Sequence, residues 1–198
     1  MTKHRRPVGL RALSASGPPP RRPPDLWMAG PELLGEAPAA LAGWLTELGL
    51  LTDRIRDACG AAAGLRLLEE RLGLLSAEQQ ALLLAPSANC LQRRVALTAR
   101  ERVWVYAESL IPEHTLERHP WLGLLGVSSL GAALAARSEI TRGRFEFALL
   151  PAAHPLVTQA LACAGVRPGG VWARRSWFAL GGRRLLVQEL FMPELGGC

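Results

Sequence analysis

Two runs near the end of the chain, Val171–Leu180 and Arg183–Met192, are joined only by Gly181-Gly182, and this constrains the fold more than any other feature. Both runs are rich in aromatic and β-branched or long apolar residues. A two-glycine link supplies the positive φ angles that the tightest hairpin turns require. An antiparallel sheet is therefore expected at this end of the chain. A second hairpin precedes it. Leu91, Arg93, Val95 and Leu97 alternate with Gln92, Arg94, Ala96 and Thr98, Val103–Ile111 is β-branched and aromatic, and Arg100–Arg102 form the polar turn between them. Pro112 ends that strand, and Glu139–Leu149 is a third extended run.

The first half carries a different period. Leu41, Trp44, Leu45, Leu48 and Leu51 recur at helical spacing over Pro38–Leu51, and Thr52 reads as the N-cap of a second short helix, Asp53–Cys59, closed by Gly60. Leu65–Leu75 fits a strand or a short helix equally. Ser76 with Gln79 forms a capping-box pattern before Ala81–Leu84, and Pro155–Ala164 reads as a helix ended by Gly165. Helices gathered early and hairpins gathered late, without βαβ alternation, predict an α+β fold on an antiparallel sheet.

The net charge of +6 sits in one place. Lys3, Arg5, Arg6, Arg11, Arg21 and Arg22 all precede Asp25, the first acidic residue, and the remaining 17 basic residues equal the 17 acidic ones. Residues 1–25, basic and proline-rich, are expected to be a disordered leader, and 26–198 a single domain. A neutral body is not what a nucleic-acid-binding domain needs, so no nucleic-acid partner is expected. The longest uncharged run, Pro120–Ala136, is laced with Gly and Ser, so stable membrane insertion is not expected either. With no export signal, the expected place is the cytoplasm, without disulfides. Cys59, Cys90, Cys163 and Cys198 form no CxxC pair, and His4, His114, His119 and His154 form no metal-ligand spacing. Phosphate-cradle and nucleophile-elbow motifs are absent.

Two charges stand out because they interrupt apolar rows. On the last strand Leu185, Val187, Glu189 and Phe191 share a face, apolar except for Glu189; on the first hairpin strand Arg93 interrupts Leu91, Val95 and Leu97 in the same way. Burying either charge alone is costly, so each needs a partner. They pair with each other, lie at wet sheet edges, or line a cleft for a small polar ligand. Arg174 and Arg175, adjacent in a strand, face opposite ways, one toward a ligand and the other toward solvent, or both at a solvated edge. Tyr106 and the six tryptophans are expected in the core.

The same stretches resemble a known family. Val171-Trp-Ala-Arg-Arg-Ser176 followed by Arg184-Leu-Leu-Val-Gln-Glu-Leu-Phe-Met-Pro193 is similar to the C-terminal signature of chorismate lyases. Arg93-Arg-Val-Ala-Leu with Val103-Trp-Val-Tyr-Ala-Glu-Ser-Leu-Ile-Pro112 resembles their central motif, and Ser129-Leu130-Gly131 their Pro-Leu-Gly element. The resemblance implies a six-stranded antiparallel sheet with helices packed on one side. It implies an enzyme that removes pyruvate from chorismate to leave 4-hydroxybenzoate, the aromatic precursor of ubiquinone, with neither metal nor organic cofactor. Carried over by position, the essential arginine falls on Arg93 and the essential carboxylate on Glu189. Backbone N–H groups for the ring carboxylate fall on Leu130 and, through the Leu51-Thr52-Asp53-Arg54 match, on Leu51. A monomer is expected. The stretch Arg142–Gly170 is longer than in compact members, and Glu108 replaces a basic residue of some relatives. The alternative is a non-catalytic domain of the same fold that binds an aromatic carboxylate as an effector.

Overall fold

The computed structural model describes residues 26–29, 33–166 and 169–193; the basic leader lies outside them. After a 3-10 turn at Leu33–Glu36, the elements run α1 (Ala39–Leu45), α2 (Leu51–Cys59), β1 (Gly64–Leu74), α3 (Ala77–Leu83), β2 (Asn89–Ala99), β3 (Arg102–Pro112) and α4 (Glu113–Arg118). A second 3-10 turn at Pro120–Leu124 leads into α5 (Leu130–Ala135), β4 (Thr141–Arg142), β5 (Glu146–Leu150), α6 (Pro155–Ala164), β6 (Val171–Leu180) and β7 (Arg183–Phe191).

The strands form one antiparallel sheet in the order β1-β2-β3-β7-β6-β4, with β5 also on β6. The fold is α+β, as the sequence predicts, but with seven strands rather than six. The run Glu139–Leu149 divides into β4 and β5, which pair with successive parts of β6. The break falls at Gly143, where a Cβ would stand 2.3 Å from the Trp177 ring. Both hairpins form as expected. Gly181 and Gly182 have positive φ, and so do Arg100 and Glu101, whose two-residue turn joins Ala99 to Arg102.

Leu65–Leu75, ambiguous in sequence, is strand β1. A bulge between Leu67 and Glu69 shifts its register, so that Glu70 stands opposite Arg93 and Glu69 opposite Arg94. The extra residue also breaks the alternation that would have marked a strand.

Helices cover both faces of the sheet, not one. On the front face α1 and α2 pack on Leu97, Val105 and Phe191, while α5 and the second 3-10 turn pack on Ile111, Phe178 and Leu185. On the back, α6 packs on Tyr106, Ala173 and Leu190, and α3 on Leu110 and Leu186. The row Leu186, Leu190 and Met192 is itself apolar and fully buried, and that requires the second layer. Between α3 and α6 the back face carries a polar row, Glu69–Arg94–Glu108–Gln188–Arg175–Glu146, one residue from each of six strands in register. Cys59 is disulfide-bonded, against the expectation of reduced thiols, and Cys90 and Cys163 are free. No helix among the described residues is long and apolar enough to cross a membrane.

Candidate active site

A cavity of about 70 Å³ lies on the front face, between the two apolar clusters. Its floor is sheet. Arg93 and Val95 come from β2, Ala107 and Ser109 from β3, and Val187 and Glu189 from β7. Register explains the space: Arg93 pairs with Ser109 and Ala107 with Glu189, so the strand between the two charges presents only small side chains. Two strand spacings and one two-residue step separate Arg93 and Glu189, roughly 12 Å between Cα atoms.

Arg93 and Glu189 do not pair with each other and are not at wet edges. Arg93 is 1% exposed; its Nη1 donates to Glu70 Oε2 at 3.1 Å and its Nη2 to the Ser128 carbonyl at 2.9 Å. Glu189 Oε2 accepts from Arg174 Nε at 2.6 Å. Arg174 and Arg175 face opposite ways, as adjacent strand residues must, yet neither reaches solvent. Arg174 is fully buried, and Arg175, on the back face, pairs with Glu146 and Glu78. Tyr106 lies in the back-face core with its hydroxyl on Gln159, and burial pushes its pKa up to about 12. Glu108 also faces away, held by Arg94 and Gln188.

The roof is built from helix starts and the turn before them. The helix predicted over Pro38–Leu51 stops at Leu45, because Arg174 Nη1 takes the carbonyls of Trp44, Leu45 and Glu47. The following turn is tied down by its own residues. Glu47 accepts from the Gly49 amide at 2.7 Å and from Arg54 at 2.6 Å, and these hydrogen bonds hold its carboxyl below its ordinary pKa. Helix α2 then begins at Leu51 with Leu50, not Thr52, at the N-cap and no side-chain cap. The Leu51 and Thr52 amides therefore have no intrahelical acceptor, and both residues line the cavity. At α5 the Ser129 hydroxyl accepts from Ala132, which leaves the Leu130 and Gly131 amides in the same position at the cavity wall. Each short helix thus places first-turn residues whose N–H groups have no intrahelical acceptor in the wall of the cavity that Arg93 and Glu189 also line, a setting suited to a carboxylate.

Leu51, Arg93, Leu130 and Glu189, singled out in the sequence, all line this cavity. Two residues were missed: Glu70, the partner of Arg93, and Arg142, which also lines the cavity. Arg174, one of the two adjacent arginines left open in the sequence, is the partner of Glu189. Arg142 lies at the end of β4; its only signal is a cation in an otherwise extended run. It donates to the Leu48 carbonyl at 3.2 Å and lies over the Phe145 and Phe178 rings. Burial pushes its pKa down, Glu189 pulls it back up, and Arg174 pushes it down again.

The sequence profile of the chorismate lyase family matches residues 25–195. A protein of Azoarcus sp. (strain BH72) named "Probable chorismate pyruvate-lyase" is 39% identical over 180 residues, covering 87% of this chain and 93% of its own. One of the same name from Pseudomonas aeruginosa (strain UCBPP-PA14) is 37% identical over 172 residues, covering 86% and 92%. Among solved structures, the effector domain of PhnF from Mycobacterium smegmatis superposes with a TM-score of 0.56 at 17% identity, covering 75% of this chain and 91% of that one. The ligand-binding domain of a GntR-family regulator from Bordetella bronchiseptica gives 0.52 at 19% identity, covering 67% and 85%. These two likenesses concern the fold alone; the family match spans nearly every described residue and both lone charges, and this chain belongs to the chorismate lyase family.

Proposed function

We propose that this protein is a chorismate pyruvate-lyase, converting chorismate to 4-hydroxybenzoate, the aromatic precursor of ubiquinone, and pyruvate. The observation that carries the reading is one cavity that holds a buried guanidinium and a carboxylate only 14% exposed on either side of a small-residue floor, with two helix starts above. Arg93 clamps the ring carboxylate through its planar fork, and the Leu51 and Leu130 amides complete the anion site. Glu70 and the Ser128 carbonyl orient that fork. Glu189, held from behind by Arg174 through Oε2, has Oε1 for the ring hydroxyl that the product keeps.

The reaction is redox-neutral and needs no cofactor. The C3–O bond breaks with its electron pair going to the enolpyruvyl oxygen, C4 loses its proton as the ring aromatises, and the enol takes a proton on carbon to become pyruvate. Aromatisation supplies the driving force, so the protein's part is orientation and exclusion of water. The product stays bound to the same groups, and the α1–α2 turn over the cavity is the gate through which it leaves. The enzyme acts as a cytoplasmic monomer on a free metabolite, without a nucleic-acid partner; the neutral charge of the body supports the last point.

The test is to incubate the purified protein with chorismate, without added metal or cofactor, and to follow both products by chromatography. Equimolar 4-hydroxybenzoate and pyruvate are expected, and Arg93→Ala is expected to stay folded while losing most activity and binding 4-hydroxybenzoate weakly. Intact chorismate together with a rise in Tm on adding 4-hydroxybenzoate identifies an effector-binding domain instead.

A further inference from the structure

Two arginines line the cavity and a third, Arg174, holds Glu189, and their partners differ. Arg93 has Glu70 and Arg174 has Glu189, whereas Arg142 makes no ion pair among the described residues. Among the described residues its Nε is buried without an acceptor, and its one hydrogen bond is to the Leu48 carbonyl. The guanidinium is fixed between two rings, with its carbon 4.9 Å from the Phe145 centroid and 4.8 Å from that of Phe178. A half-buried cation held in place with an open donor is a site waiting for an anion.

Position says which anion. Arg142 lines the inner cavity beside Glu189 and also lines a second pocket, of about 310 Å³, that shares Leu50, Gly131, Leu134 and Phe178 with the first. It therefore stands where the inner cavity and the second pocket meet. Chorismate carries two carboxylates, one on the ring and one on the enolpyruvyl group. The enolpyruvyl ether is on the ring carbon next to the hydroxyl assigned to Glu189, so its carboxylate falls on the Glu189 side of the chamber. 4-Hydroxybenzoate has lost that group.

Resting on the lyase reading above, we infer that Arg142 binds the enolpyruvyl carboxylate of the substrate and so distinguishes substrate from product. Its fork also reaches the ether oxygen that gains the electron pair as the C3–O bond breaks, and it holds the departing pyruvate at the outer pocket. Arg93 and the helix amides serve substrate and product alike. Arg142 serves the substrate alone.

Arg142→Gln is the direct test, read against wild type by kcat and KM for chorismate and by the Kd of 4-hydroxybenzoate. A charge-assisted pair lost from the substrate but not from the product predicts kcat/KM lower by about tenfold to a hundredfold, with the 4-hydroxybenzoate Kd within about twofold of wild type. Wild-type protein offers a test that needs no variant. Its affinity for 3-(1-carboxyvinyloxy)benzoate is expected to fall by a similar factor when the side-chain carboxylate alone is esterified. Loss of chorismate turnover and 4-hydroxybenzoate affinity together, or an ester that binds as well as the acid, overturns the assignment. If wild type turns over chorismate and Arg142→Gln matches it, this inference fails alone; if wild type leaves chorismate intact, the lyase reading fails and this one with it.

Discussion

Arg174 joins the site to the fold more tightly than any other residue. It is fully buried; Nε holds Glu189, and Nη1 takes the carbonyls of Trp44, Leu45 and Glu47 at the end of α1. A cation at a helix C-terminus meets the negative end of the helix dipole, so one side chain ends α1, sets the turn above the cavity and orients the carboxylate below it. Arg174→Met is expected to destabilise the protein by about 3 kcal/mol, because it leaves the Glu189 carboxylate, only 14% exposed, without its cation; adding Glu189→Met is expected to restore part of that, since a largely buried pair replaced by apolar groups is often nearly neutral. Urea unfolding of the two variants measures both numbers, and a double variant no more stable than the single one refutes the account. Arg93 and Glu189 were legible because each is the one charge in an alternating apolar row. Arg174 was legible only as one of two, since beside Arg175 the sequence left open which of them faces the front. Glu70 was hidden by the bulge in β1, and Arg142 by the break at Gly143 that divides its extended run.

At the scale of elements, the helix starts carry the chemistry, and the sequence misplaced one of them. Thr52 has the right side chain for an N-cap, but α2 begins at Leu51, because Arg174 stops α1 early and the Glu47–Gly49 turn delivers the chain at Leu50 in extended conformation, φ −79° and ψ 127°. That stop is a contact across more than a hundred residues, which no local pattern carries. The hairpins and the capping box of α3 are local, and they formed where the sequence placed them. The geometry at Leu50 permits a test of the α2 amide. Proline is tolerated at the first helical position, and an extended residue before it is what proline requires. Leu51→Pro therefore removes one N–H while leaving the helix, and Leu51→Ala removes similar packing while keeping the N–H. Each is expected to cost about 2 kcal/mol of stability, because Leu51 is in the core. Only Leu51→Pro is expected to weaken 4-hydroxybenzoate binding markedly, by about tenfold for one lost hydrogen bond to a charged group. Titration calorimetry of the pair checks it; equal affinities remove the Leu51 amide from the anion site.

Across the whole molecule, each face of the sheet is divided by polar residues lying between two apolar clusters. On the back, Glu69, Arg94, Glu108 and Gln188 are joined from strand to strand by ion pairs and a hydrogen bond, and Arg175 is joined to Glu146 in the same way. On the front the row opens into the cavity, and the charges there keep donors and acceptors in reserve. Two histidines away from the cavity give the fold a pH dependence of its own. His154 is the N-cap of α6, and its Nδ1 accepts from the Leu156 amide at 3.3 Å, which only the neutral ring can do. Burial holds its pKa below the ordinary 6.5; His114, in α4, is held below it by burial and by Arg183, with Glu117 opposing. With both folded-state values below the unfolded one, the unfolded chain binds more protons near pH 6. Stability is thus fully present above about pH 7 and is lost as pH falls through the unfolded value toward the folded ones. Carboxylates with lowered pKa, such as Glu47, act only at lower pH. The urea midpoint is therefore expected to fall between pH 7.5 and 5.5. His154→Asn keeps a capping oxygen that cannot be protonated, so it is expected to flatten that fall, with His114→Asn removing a further part. An unchanged slope in the double variant would place the pH dependence elsewhere. A flattened slope with unchanged chorismate turnover would show that these two histidines set the pH dependence of stability without touching the chemistry in the cavity.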